Sequence, residues 1–303
     1  MHRRTRVLAV VLCAAASLLA GPAAANAKTM NLLILGDSYS SGNGAGNYSD
    51  ITCGRSRTVW GELYATTMRS RGLTVNVKNA ACGGATVVGG IAGNTVIPPV
   101  SKQVEQITPE TDLVVVTIGG NDVGFANIVV QCFIPGTADP SRCRQAVSAG
   151  KNAVPRVTQQ AIDVMRSARS RLRPGARVAV VSYPYLSNTS QYTLRGLFDA
   201  FRPGPAVRQL GDMGDGAITT AANTINAEAG QNIVQFIPSK DLFVGHEPDP
   251  DPFKENASSW IHETLISGIP LLETYHPKPA GQQALAAALL RAGGANGDFG
   301  VSR

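Results

Sequence analysis

Apolar residues fall along this chain in two alternating patterns, short continuous runs and longer stripes spaced three and four apart. Residues 32–35 form a run of four that ends on Gly36. A run of that length bounded by glycine predicts a strand buried on both faces, as in a parallel sheet. Residues 112–118 repeat the pattern, residues 177–182 and 232–237 supply two more strands, and residues 73–79 alternate apolar with polar positions. Between the runs lie helical stripes. Residues 58–71 place Val59, Leu63 and Met68 on one face, residues 154–172 place Val157, Ala161, Val164 and Ala168, and residues 217–229 place Ile218, Ala221, Ala222 and Ile225. A short helix over 101–107 and a last one over 279–290 complete the set. Strand and helix alternate throughout, which predicts an α/β fold, a doubly wound parallel sheet with helices on both faces. Residues 87–100, 131–144 and 188–214 read as irregular segments or insertions, as does the stretch from Pro238 to Tyr275.

The strand ends carry the polar residues of interest. The first run leads into Gly36-Asp37-Ser38-Tyr39-Ser40, the second into Cys82-Gly83-Gly84-Ala85-Thr86, and the third into Gly119-Gly120-Asn121-Asp122. Open α/β sheets bind ligands at the carboxyl ends of their strands. Gly-Asp-Ser is also an ordinary turn tripeptide, so its meaning depends on partners. Acyl transfer needs a nucleophile, a base, and donors aimed at a developing oxyanion, and Ser38, the Gly84 amide and the Asn121 side chain match those needs. Residues 41–47 form a glycine-rich loop, but Asn47 occupies the third glycine position of a dinucleotide fingerprint, so the loop reads as a flexible border to a cleft. The base would be a histidine. His246 lies in an acidic, proline-punctuated stretch and His262 follows Trp260-Ile261, whereas His276 precedes Pro277 and a helix start, with Glu273 three residues before it.

Charge narrows the partners, and the leader with the cysteine count reads as that of an exported protein. The net charge of +6 falls to +3 once Arg3, Arg4 and Arg6 are set aside, and no basic run with interleaved aromatics follows, so nucleic acid is excluded as a partner. Those arginines open a leader with an apolar run over residues 7–20 and an Ala25-Asn26-Ala27 cleavage pattern. Residues 1–27 therefore read as a signal peptide, through the general or the twin-arginine route, and residues 28–303 as a single secreted domain without stable membrane insertion. Cys13 falls in the leader. The remaining Cys53, Cys82, Cys132 and Cys143 allow three disulfide pairings, and no close cysteine pair suggests a metal. Pairing between sequence neighbours, Cys53 with Cys82 and Cys132 with Cys143, closes a loop beside each of two strand ends.

Taken in order, these motifs resemble the blocks of the SGNH hydrolases, or GDSL lipases and esterases. The first is Gly36 to Ser40, the second centres on Gly84, the third is Gly119 to Asp122, and the fifth is Glu273-Thr274-Tyr275-His276-Pro277. The set is most similar to the secreted, disulfide-bonded actinomycete members such as those of Streptomyces. The resemblance implies a flavodoxin-like sheet of five parallel strands, no metal or other cofactor, a monomer, and hydrolysis of lipid or other small carboxylic esters. It implies Ser38 as nucleophile, His276 as base, Glu273 as the orienting acid, and Ser38, Gly84 and Asn121 as the oxyanion hole. Two departures stand out. Glu273 replaces the usual Asp, and some secreted relatives use a backbone carbonyl in its place. Residues 244–260 also lack the third disulfide common there. The G-x-S-x-G elbow of α/β-hydrolases is absent. Deacetylation of a carbohydrate at the same site, or a non-catalytic binding role on the same fold, are the alternatives.

Overall fold

A computed structural model describes residues 28–89, 97–263 and 273–303; the leader, and the middle of the segment 87–100, lie outside the described residues. Five strands form one parallel sheet: β1 (Thr29–Gly36), β2 (Thr74–Asn79), β3 (Leu113–Thr117), β4 (Arg177–Val181) and β5 (Val234–Ile237), in the order β2-β1-β3-β4-β5. This is the flavodoxin-like arrangement that the family resemblance implies.

Alternate residues of each strand face opposite sides. Leu33, Leu35, Val114, Val116, Val178 and Val180 point into one core, covered by α3 (Pro140–Arg171) and α4 (Pro203–Ala229). Leu32, Ile34, Leu113, Val115, Ala179 and Val181 point into the other, covered by α1 (Trp60–Ser70) and α5 (Pro279–Ala292). Both faces are therefore dry, which is why the strands read as unbroken apolar runs. The crossover after β1 uses α1 on one face and the crossover after β3 uses α3 on the other. The chain thus diverges between the carboxyl ends of β1 and β3, the switch point where such sheets open a crevice.

Two helices are longer than their apolar stripes suggest. The stripe over 154–172 is only the second half of α3, which begins at Pro140, capped by the Asp139 side chain accepting from the Arg142 amide at 2.8 Å. Proline at a first helical position costs nothing because its missing N–H would be unpaired there, and Pro155 sits on the exposed face. The excursion expected over 131–144 is in fact the end of α2 (Phe125–Phe133), a turn, and the start of α3. Likewise the insertion expected over 188–214 holds a small hairpin, Leu194–Arg195 with Ala200–Phe201, and the first half of α4. Four glycines in that half (Gly204, Gly211, Gly214, Gly216) obscured the helix, yet Val207 and Leu210 bury as a helical face. Gly150 of α3 lets Leu210 approach, since a Cβ there would lie 2.8 Å from the leucine.

Candidate active site

The crevice is built from the ends of β1 and β3. Gly36 closes β1 at φ +121°, and a Cβ at that position would lie 2.3 Å from the Thr117 carbonyl, so only glycine fits. Its N–H and C=O are both met by the Gln103 side-chain amide, at 2.7 and 2.9 Å. The chain then enters a single helical turn, Ser38–Ser41, with Asp37 as its cap. Asp37 accepts from the Tyr39 amide at 3.0 Å, from Thr117 Oγ1 at 2.8 Å and from the Tyr183 hydroxyl. Ser40 Oγ and Thr117 are cross-linked at 2.9 Å. Burial pushes the Asp37 carboxyl up to about 6, opposed by these hydrogen bonds.

Ser38 stands at the first position of that turn, where a backbone N–H has no acceptor inside the helix. Its Oγ lies 2.7 Å from His276 Nε2, and both residues are nearly buried. His276 Nδ1 lies 2.9 Å from the Thr274 carbonyl. A carbonyl only accepts, so Nδ1 carries the proton and the Nε2 lone pair faces the serine hydroxyl. The tautomer required of a general base is thus fixed by backbone.

The Glu273 carboxylate, expected beside the imidazole, goes elsewhere. Its Oε1 accepts from the Tyr48 hydroxyl at 2.9 Å and its Oε2 lies 3.9 Å from His262 Nε2. Tyr48 accepts in turn from the Gly44 amide at 3.0 Å, and His262 donates to the Gly44 carbonyl at 3.0 Å. The reason is conformational. Tyr275 takes a left-handed backbone at φ +59°, which a non-glycine residue adopts only when its surroundings compel it. Its ring stacks on Phe133 at 5.3 Å, its carbonyl accepts from Tyr39 Oη at 2.6 Å, and its amide donates to the His262 carbonyl at 2.7 Å. With Tyr275 so held, His276 Nδ1 meets the Thr274 carbonyl, and the Glu273 side chain meets Tyr48. Glu273→Gln is expected to lower kcat/KM by less than about tenfold, measured on a soluble ester. Neutralising an acid that orients the base costs up to about 10⁴, and a loss of that size would restore the triad.

Burial is the main force on the His276 ring, pulling its pKa from the usual 6.5 down to about 4. Tyr39 and Phe125 pack against it with centroids 5.2 and 5.5 Å away. The neutral ring is the form able to take a proton, and it now persists to lower pH. The acid limb of kcat/KM is therefore expected near pH 4, activity falling as the medium is acidified through that value. A limb centred near 6.5 in the pH profile would contradict this.

The other two strand ends converge on the same place. Gly84 sits at φ +83° in a turn held by the Cys82 amide on the Gly36 carbonyl (3.0 Å) and by the Gly83 amide on the Cys53 carbonyl (2.8 Å). Cys53 and Cys82 are joined, as are Cys132 and Cys143. Asn121 Nδ2 donates to the Ala85 carbonyl at 2.8 Å, and Asp122 accepts from the Val87 amide at 3.0 Å, so the β2 and β3 loops are tied to each other. Tyr183, at the end of β4, links both sides: it donates to Asp37 and accepts from the Gly120 amide at 3.3 Å. Sequence reading passed over Tyr183, Thr117 and Tyr48, although the first two lie at strand ends and could have been found there. The glycine-rich loop 41–47 is mostly buried and packed against His276, not a flexible border; a Cβ on Gly44 would meet the Pro277 carbonyl at 2.7 Å. His246 is also packed, flat on Trp260 at 3.7 Å.

An apolar cavity of about 110 Å³ opens beside Tyr39 and Gly120, lined by Phe125, Val154, Val157 and Ile218. Sequence and fold both resemble those of known proteins. A lipase of Streptomyces rimosus is 29% identical over 290 residues, covering 93% of this chain and 94% of that protein. Lipase 1 of Streptomyces coelicolor is 28% identical, with 89% and 87% covered. Among solved structures, the extracellular lipase of S. rimosus superposes with a TM-score of 0.67 at 26% identity, over 87% of this chain and 99% of that one. The phospholipase A1 of Streptomyces albidoflavus NA297 gives 0.65 at 26%, over 87% and 98%. The model of the GDSL-like lipase/acylhydrolase family matches residues 34–284, and the chain belongs to that family.

Proposed function

We propose that this carboxylic ester hydrolase works through an acyl-enzyme on Ser38, with His276 as base and the Thr274 carbonyl as the group that orients it. The hydroxyl proton of Ser38 passes to His276 Nε2 as Oγ bonds to the ester carbonyl carbon. The carbonyl oxygen becomes an oxyanion, met by the amides of Ser38 and Gly84 and by the Asn121 side chain. The carbon–oxygen bond to the leaving alcohol then breaks, and Nε2 returns the proton to that alcohol. Water repeats the cycle, losing a proton to Nε2 as it attacks, and Ser38 leaves with the proton restored. The observation that carries this reading is the 2.7 Å contact of Ser38 Oγ with an imidazole whose far nitrogen is held by a carbonyl.

The apolar cavity against Phe125 suits an acyl chain longer than acetyl, because its wall offers burial and few polar partners. The names of the relatives, lipase and phospholipase A1, agree with a lipid ester. Secretion after removal of residues 1–27 fits the leader, the two disulfides and the extracellular relative. Among the described residues no helix is long and apolar enough to cross a membrane. Parallel assays of p-nitrophenyl esters of increasing acyl length and of acetylated sugars test the substrate. Expected is a kcat/KM that rises beyond acetate. A maximum on acetylated sugar would make the protein a carbohydrate deacetylase instead.

A further inference from the structure

The hairpin between β4 and α4 exposes two large apolar side chains next to each other, Leu197 at 88% and Phe198 at 95%. Single exposed apolar residues are common on any protein, but an adjacent pair projecting from a turn marks a surface that meets something apolar. The hairpin is not loose. Arg144 of α3 grips Asp199 with two hydrogen bonds of 2.8 Å, donates to the Ala200 carbonyl at 2.9 Å, and lies 5.2 Å over the Phe201 ring. Arg144 itself follows Cys143, which the disulfide ties to α2. At the base, Leu194 is buried in a cluster with Ile128, Phe133 and Tyr275. Folding therefore holds the Leu197–Phe198 tip outward from a braced mount, and among the described residues no protein surface covers it.

Two arginines lie along the ribbon, Arg195 within it and Arg202 just past its second strand. Beside the ribbon runs an open groove lined by Thr193, Arg195, Phe201, Arg202 and Gln209. Both arginines are exposed, and among the described residues neither forms a salt bridge; Arg202 donates to Gln191 Oε1 at 3.2 Å. The acid within the hairpin, Asp199, is neutralised by Arg144. Apolar tip and guanidinium groups without an acidic partner together suit a fluid apolar layer capped by phosphates, and two such positive charges favour a layer of net negative charge.

We propose that this hairpin docks the protein on an anionic phospholipid surface, Leu197 and Phe198 entering the acyl region while Arg195 and Arg202 engage headgroup phosphates. The segment leaves the carboxyl end of β4, the edge of the sheet that carries Ser38, and its root packs with Tyr275, the neighbour of His276. Docking there brings the site toward the ester bonds of the lipid. Only this consequence rests on the ester-hydrolase reading, because binding is measurable without turnover.

The test is co-sedimentation of the Ser38→Ala protein with vesicles of equimolar phosphatidylcholine and phosphatidylglycerol, and with vesicles of phosphatidylcholine alone. Expected is tighter binding to the mixed vesicles, weakened by salt. Replacing either Leu197→Ser or Phe198→Ser should loosen it about tenfold, from the apolar burial each side chain supplies. Arg195→Gln and Arg202→Gln should each loosen it about fivefold. The same substitutions in the protein that retains Ser38 should leave hydrolysis of a soluble short-chain ester unchanged, which also verifies folding. Absence of vesicle binding, equal binding by the Leu197→Ser/Phe198→Ser double variant, or indifference to lipid charge would overturn the proposal. So would a concentration-dependent dimer that the double variant abolishes, since the tip would then meet a second copy. Loss of soluble-ester hydrolysis in the parent protein would count against the catalytic reading alone.

Discussion

Ser38→Ala is expected to leave a folded protein whose kcat on a soluble ester falls by about 10⁴-fold or more. The loss is large because the other serine hydroxyls of the same turn are held elsewhere. Ser40 Oγ is committed to Thr117, and Ser41 Oγ points back to the Ser38 carbonyl and the Asn43 side chain. Removing Oγ leaves His276 without a nucleophile to activate, and any residual rate would come from oxyanion donors acting on attacking water. His276→Ala should cost about as much, and the double variant little more, since the two groups act as a unit. Circular dichroism and an unchanged melting temperature confirm that the fold survives. More than a few per cent of activity in a purified sample would contradict the assignment.

Asn121→Ala is expected to lower kcat by about 10²–10³ with KM changed only a few-fold. A donor aimed at the oxyanion does more in the transition state than toward the neutral carbonyl, so its removal is read in kcat. The side chain has a second task, because Nδ2 also donates to the Ala85 carbonyl next to Gly84. One amide N–H holds the neighbouring loop, and in the proposed mechanism the other serves the oxyanion. Truncation therefore both deletes a donor and loosens the Gly84 turn, which the Cys53–Cys82 bridge still restrains. Raised KM with unchanged kcat would show a positioning role for substrate instead.

Much of this site was legible in the sequence because a doubly wound sheet concentrates chemistry at strand ends. Gly36, Gly84 and Gly119 mark those ends through backbone geometry, all three at positive φ, and Ser38 and Asn121 follow two of them. What the sequence could not show is which atom a flexible side chain reaches. Glu273 keeps the spacing of an orienting acid, but spacing counts residues and says nothing of the left-handed turn at Tyr275 that sends the carboxylate to Tyr48. The helix starts were hidden for another reason. Glycine and proline lower helix propensity, yet burial of Val207 and Leu210 against α3 outweighs it, and propensity yields to tertiary packing. Tyr183 could be placed at a strand end from the sequence, but its bond to Asp37, 146 residues away, shows only once β1 and β4 lie in one sheet.

The most direct test of the account is covalent. A fluorophosphonate offers phosphorus where the ester offers carbonyl carbon and is trapped by a serine that a neighbouring base has activated. Peptide mass spectrometry after labelling should find one adduct, on Ser38, with hydrolysis lost in proportion to its formation. His276→Ala should slow labelling by several orders of magnitude. An adduct on any other residue, or full hydrolysis by protein carrying stoichiometric label on Ser38, would contradict the account.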